Sequence, residues 1–215
     1  MPEPAQNASL PKRSQAERRD ASERQLIEAT LAVVATHGVD AATFDAIGLA
    51  AGYSRGLASQ KFGSKRGLID AVIGYLHRRR EEILEIEHVN EMPAIDAIAH
   101  FSDRFLRQLS GDYGGRAYLM LLAASVADAS SLREAFAASN DRVRAWLESA
   151  IRRGQVEKTI RSDLDPRATA LMIGSMVLGI SMQWLVDPAT DLEPIRKSTI
   201  DAVRQSLSIQ HGKSR

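Results

Sequence analysis

Cysteine is absent from all 215 residues, which excludes disulfides, thiolate metal sites and cysteine nucleophiles and suits a reducing compartment. Aromatic residues make up only 5% of the chain, so Ala, Leu, Ile and Met have to fill the core. Charge of one sign is not in excess either: 28 Lys and Arg face 27 Asp and Glu, and the net charge is +1. A polyanion could then be recognised only through local clusters. With 44% apolar and 26% charged residues the chain is not mainly disordered, and its length allows one large or two small domains. Residues 1–13 carry Pro2, Pro4 and Pro11 and no apolar stretch of the kind a targeting signal needs, and they read as a disordered arm. One long apolar run exists, at 168–186, but Thr169, Ser175, Ser181 and Gln183 interrupt it and no Lys/Arg cluster flanks its end. It is expected to be a helix buried on most sides, in a cytoplasmic protein that does not associate with membranes.

What is present is helical periodicity, with no alternating β-type segment competing, so the fold class is all-α. A long first helix over 15–37 carries Leu26, Ile27, Leu31, Val33 and Val34 on one stripe and stops at Gly38. Thr43, Ser54 and Ser64 then offer N-caps to three successive helices, the first two only about two turns long, with Gly52 and Phe62-Gly63 as stops. Further helices are expected over 94–109, 116–127, 132–155, 167–186 and 194–208. Gly111 with Gly114-Gly115, a cap at Ser130 or Ser131, Asp165-Pro166, and Pro188 with Pro194 mark the junctions.

Two short helices joined by a glycine-containing turn between Thr43 and Lys61 form a helix-turn-helix pattern. Gly48 is small where the helices would cross, Gly52 tolerates positive φ, and Ile47, Ala51, Tyr53 and Ala58 are spaced to share one core. That leaves Arg55, Gly56, Ser59 and Gln60 on the outer side of the second helix. From Arg55 to Arg80 the cations Arg55, Lys61, Lys65, Arg66, Arg78, Arg79 and Arg80 face a single acid, Asp70, a local excess that suits a phosphate backbone. Capped helix N-termini add backbone donors for the same purpose.

The run Ala42-Thr43-Phe44-Asp45-Ala46-Ile47-Gly48-Leu49-Ala50-Ala51-Gly52-Tyr53-Ser54-Arg55-Gly56-Leu57, followed by Phe62-Gly63-Ser64-Lys65, resembles the signature of the tetracycline-repressor (TetR) family over about 24–68. The resemblance implies a non-enzymatic one-component regulator, in most cases a repressor, that binds a palindromic operator in double-stranded DNA as a homodimer. It implies an N-terminal helix-turn-helix domain at 14–63, and a domain at 64–215 that dimerises and binds a small effector. Carried over by position, Thr43 and Lys65 hold phosphates and Arg55, Gly56, Leu57, Ser59 and Gln60 form the groove-reading surface, with Ser54, the cap of that helix, among the DNA-binding residues. The chain departs from the family at Gln60-Lys61, where an aromatic or His pair is usual. Either Lys61 replaces the phosphate contact with a charge-assisted bond or Gln60 reads adenine through its amide.

Candidates for the effector site are Phe101, Phe105, Tyr118, Met120, Met172, Met176 and Trp184, since methionine adapts to irregular cavities, although a plain helical core would use the same residues. The apolar surface of 167–186 and of Ile195, Ile200, Val203 and Leu207 exceeds what one subunit needs and suits a four-helix dimer interface. Arg78-Arg79-Arg80 also fits a solvated face paired with Glu81, Glu82 and Glu85. His77, His88 and His100 lack metal-ligand spacing, Asp165 is more simply a cap than a catalytic carboxylate, and no cofactor, metal or catalytic residue is expected. The rival reading is a small-molecule binding protein or enzyme that has lost DNA binding.

Overall fold

The computed structural model describes residues 14–111, 113–127 and 132–209. The expected arm at 1–13 and the cap expected at Ser130 or Ser131 lie outside them. Nine helices are present among the described residues: α1 (Gln15–His37), α2 (Phe44–Ala51), α3 (Arg55–Phe62), α4 (Lys65–Ile86), α5 (Ala94–Gly111), α6 (Tyr113–Ala127), α7 (Leu132–Val156), α8 (Pro166–Val186) and α9 (Leu192–Leu207). The all-α expectation holds, and the caps lie where the sequence puts them. Thr43, Ser54, Ser64 and Asp165 each accept a bond from a backbone N–H in the first turn of the helix that follows.

Two junctions differ from expectation. Gly114 and Gly115 lie inside α6 rather than in a break. A side-chain carbon at Gly115 would come within 2.9 Å of the Gln108 carbonyl oxygen, so this glycine serves the close packing of α6 on α5. Pro194 does not close the last loop; Asp191 caps α9, and Pro194 sits in the first turn, where its missing N–H costs nothing.

The headpiece α1–α3 is not a separate globule. α1 packs on α2 and α4 but also on α6, and one core cluster runs from Leu26, Ile47 and Ala58 through Leu68 and Ile73 to Leu109, Tyr118, Leu122 and Val177. That cluster crosses the expected boundary between 63 and 64. A second cluster joins α5, α7, α8 and α9 through Ile98, Leu147, Ile151, Ile173 and Val203. Arg204 of α9 pairs with Asp96 of α5 at 2.6 Å, and buried Arg196 pairs with Asp103, fixing α9 along α5.

α8 is long and apolar enough to meet the composition test for a membrane span. It is not buried on most sides, as its sequence suggests. Ala170, Ile173, Val177, Ser181 and Trp184 form an inward stripe, while Leu171, Met172 and Val186 are exposed, Val186 to 83%. The chain thus leaves an apolar face of α8, extended by half-exposed Ile195 of α9, without cover of its own.

Candidate nucleic-acid interface and effector cavity

α2 and α3 meet so closely that their crossing point admits only glycine. A side-chain carbon at Gly48 would lie 2.9 Å from the Tyr53 carbonyl oxygen and 3.1 Å from the Arg55 nitrogen. Gly52 turns the chain between them in the left-handed region, at φ 72°. Ile47 and Ala58 are fully buried beneath the crossing, so α3 is held rigidly with its other side outward. Arg55, Gly56 and Gln60 are exposed on that side, Leu57 and Ser59 half-buried beside them. At the start of α4, Lys65 is exposed next to the capped N-terminus where Ser64 Oγ accepts from Gly67 N at 3.0 Å.

Part of the cationic excess seen in the sequence is taken up internally. Arg66 pairs with Asp70 at 2.9 Å. Arg55 reaches Asp45 of α2 at 3.4 Å, both groups being largely exposed and the pair correspondingly weak. Lys61 is turned inward. Its ammonium donates to the Arg19 carbonyl oxygen at 2.7 Å, lies 3.5 Å from Glu23, and leaves only 12% of the side chain exposed. In this arrangement Lys61 clamps α3 to α1, so of the two alternatives at Gln60-Lys61 it is Gln60 that is exposed on the surface α3 presents. The pairings of Arg55 and Lys61 join helices whose approach depends on the fold, so spacing along the sequence does not show them. Leu49, 84% exposed on α2 four residues after Asp45, was also not singled out by sequence reasoning.

In the body, a cavity of about 140 Å³ lies among α4, α5, α6, α7 and α8. It brings together Phe101, Phe105 and Tyr118 of the expected effector set, with Arg80, Leu147 and Leu178. The other four candidates lie elsewhere. Met120 and Met176 are partly buried in the first and second core clusters, Met172 is on the exposed face of α8, and Trp184 lies under the Arg116 guanidinium, 5.7 Å from its ring centroid. Their helical spacing gave apolar character but not direction. Of the arginine run, Arg80 lines the cavity instead of joining a solvated face.

A smaller space of about 50 Å³ adjoins this cavity, sharing Arg80, Phe105 and Tyr118 and adding His77, Gln108 and Leu109. His77 is 4% exposed. Burial first, then the guanidiniums of Arg80 and Arg142, push its imidazole down to about 4, so it is neutral at pH 7. His88 and His100 instead contact Glu91 at 2.9 Å and Glu87 at 2.7 Å, and no metal-binding group of three His, Asp or Glu occurs among the described residues. Asp163 pairs with Arg161, and Asp165 caps α8.

A three-helix headpiece that exposes one polar helix face, built onto a helical body with a partly open cavity, defines a helix-turn-helix regulator. Residues 26–72 match the family model of bacterial regulatory proteins of the tetR family, and residues 114–207 match that of the BetI-type transcriptional repressor C-terminal domain. The chain belongs to the tetR family and is a DNA-binding transcriptional regulator. Among solved structures it is similar to a TetR transcriptional regulator from Chloroflexus aurantiacus, with 21% identity over 90% of this chain and 99% of that one and a TM-score of 0.77. It is also similar to SmeT, the repressor of the Stenotrophomonas maltophilia multidrug efflux pump SmeDEF, with 24% identity over 91% and 94% of the chains and a TM-score of 0.71. A complex of SmeT with triclosan superposes at a TM-score of 0.71, with 23% identity over 89% and 93% of the chains. No curated protein matches the chain.

Proposed function

We propose that the protein is a homodimeric, cytoplasmic, non-enzymatic repressor that leaves a palindromic operator when a small apolar or amphipathic effector occupies the cavity between α4 and α8. Thr43, Ser54 and Lys65 hold phosphates; Arg55, Gly56, Leu57, Ser59 and Gln60 face the major groove, with Gln60 placed to read a base. The exposed apolar face of α8, with Ile195 of α9, pairs with its copy in a second subunit. Two recognition helices then fall in successive major grooves, about 34–36 Å apart. Residues 14–63 serve as the reading unit and residues 64–215 as the sensing and dimerising unit.

The observation that carries this reading is the continuity of the core. Tyr118 and Val177, which line the cavity, belong to the same cluster as Leu26 and Ile47 of the headpiece. α4 spans both ends, with Lys65 at the DNA side and Arg80 at the cavity, so a ligand that shifts α4 relative to α6 alters the spacing of the two headpieces. SmeT, whose triclosan complex is known, offers a precedent of the same architecture for a small, mainly apolar ligand. The test is an electrophoretic shift with DNA from the protein's own upstream region, combined with light scattering. A dimer that shifts this DNA in the presence of competitor is expected; a monomer, or binding that unrelated DNA abolishes, contradicts the reading.

A further inference from the structure

The smaller space beside the cavity carries polar chemistry that a purely apolar effector would leave unused. Arg142 Nη1 lies 3.0 Å from His77 Nδ1. A guanidinium can only donate, so Nδ1 is the acceptor, the proton of the neutral ring is on Nε2, and Nε2–H is a donor. That donor is buried, and no group of the described residues accepts from it. An unmatched buried donor is costly, and an occupant that accepts the bond removes that cost.

His77 lines the smaller space, beside Arg80 and Gln108. Arg80 and Arg144 are the charged residues lining the two spaces, no Asp or Glu being among the described residues that do so. Every charged group brought to the imidazole is a cation: Arg80 from α4 and Arg142 from α7, while α5 and α6 contribute Phe105, Gln108, Leu109 and Tyr118. Glu81 and Glu82, next to Arg80 on α4, are exposed, and Asp141, next to Arg142 on α7, is engaged by Arg144 at 2.6 Å. Tyr118 Oη is already bonded to Ser139 Oγ at 3.2 Å. What the site is missing is a negative acceptor. The larger space is apolar and, at about 140 Å³, is close to the roughly 150 Å³ cavity that holds a benzene ring in another protein.

We infer that the effector is a small organic acid, with a ring-sized or short-chain apolar body among Phe101, Phe105 and Leu147 and a carboxylate or phenolate that accepts from His77 Nε2 and pairs with Arg80. This rests on the proposed effector cavity and adds the class of head group. It also gives the buried imidazole a role in recognition: as an uncharged donor it tells an acceptor head group from a donor-only one, and Arg80 tells an anion from a neutral acceptor.

The test uses matched pairs of equal shape, benzoate with benzamide and 3-phenylpropionate with 3-phenylpropionamide, titrated calorimetrically into the full-length protein at pH 7.5. The acid of a pair is expected to bind at least tenfold more tightly than its amide. Arg80→Met should erase that preference. His77→Leu should weaken the acid about tenfold, and His77→Gln, which keeps a donor, should recover part of the loss. A readout independent of folding is the histidine side-chain 15N spectrum, in which His77 should appear as the Nε2–H form and its Nε2 resonance should move when the acid is added. Amides that bind as well as acids, or a preference that survives Arg80→Met, would overturn the anionic anchor while leaving the cavity an effector site. An Nδ1–H form of His77 would overturn it as well. Failure of both members of both pairs to bind, with no effect on the shift of upstream DNA, would count against the cavity as a site for ligands of this class and against the anchor with it.

Discussion

At the reading end, a side-chain carbon added at Gly48 would sit 2.9 Å from the Tyr53 carbonyl oxygen, and one added at Gly67, in the first turn of α4, would overlap the carbonyl oxygen of Phe62 at the end of α3. In the body, a carbon added at Gly154 would meet the end of the Ile160 side chain at 2.5 Å, and one at Gly174, on the cavity wall, would meet nothing within 4 Å. The reading end is set by backbone against backbone, which cannot yield. The sensing end has one crossing of that kind, Gly115 of α6 against the Gln108 carbonyl oxygen at 2.9 Å, but at Gly154 and Gly174 it is bounded by side chains and open space, which can yield. A regulator needs that division, since the surface that meets DNA has to be rigid while the walls around a ligand have to have more than one packing.

Substitutions at these glycines probe the difference directly. Gly67→Ala should destabilise the protein by about 3 kcal/mol in urea denaturation and abolish DNA binding, because Phe62 cannot move without unseating the end of α3. Gly174→Ala should instead raise stability by about 1 kcal/mol, since alanine is the better helix former and no atom is displaced. If Gly67→Ala proved as mild as Gly174→Ala, the two regions would not differ in the way described.

The body also has a pH dependence of its own, set by His77. His77 ordinarily titrates at 6.5 but is held near 4 in the folded chain. Above pH 6.5 its contribution is fully present. As pH falls from 6.5 toward 4 the unfolded chain takes up a proton that the folded one refuses, and stability declines by an amount on the order of 2 kcal/mol. Urea denaturation at pH 7.5 and 4.5 checks this, and His77→Gln should remove that component of the fall.

On the DNA side the contrast is between two neighbouring lysines. Lys65→Ala should weaken binding to all sequences and reduce the salt slope by about one phosphate contact per subunit. Lys61→Ala should leave the slope unchanged and cost about 1 kcal/mol of stability, through loss of the bond to the Arg19 carbonyl. A smaller and purely local effect is expected from Gln60→Ala, a loss of preference at one base pair that a binding-site selection would reveal. Equal salt slopes for the two lysine variants would mean that Lys61 leaves α1 when DNA arrives.

The two regions were also unequally legible in the sequence, for the same physical reason. Caps and turns are local, so Thr43, Gly52, Ser54 and Ser64 announced both the helices and the face of α3 that is left outward. The clamp made by Lys61 was not legible because its partners, Arg19 and Glu23, are some forty residues away and lie on the same side only once α1 and α3 have packed. In the body, Phe101, Phe105 and Tyr118 were found with the cavity, whereas Met120, Met172, Met176 and Trp184 had the same apolar character but point elsewhere. A helix such as α8 is apolar almost all round, and its sequence does not say which side faces a cavity, a core or a second subunit. His77 was set aside as one of three unpaired histidines because its neighbours Arg80 and Arg142 come from two different helices.

The central claim, that one end of the molecule reads DNA and the other controls it, is tested most directly by a paired titration. The affinity for upstream DNA is measured by fluorescence anisotropy with and without a saturating amount of the tightest-binding acid of the matched pairs, and the affinity for that acid is measured with and without the DNA. Coupling through α4 and the shared core requires both affinities to fall by the same factor, about 5- to 150-fold for a coupling of about 1–3 kcal/mol. Affinities unchanged in both titrations would show that the cavity and the reading surface act independently and would contradict the claim.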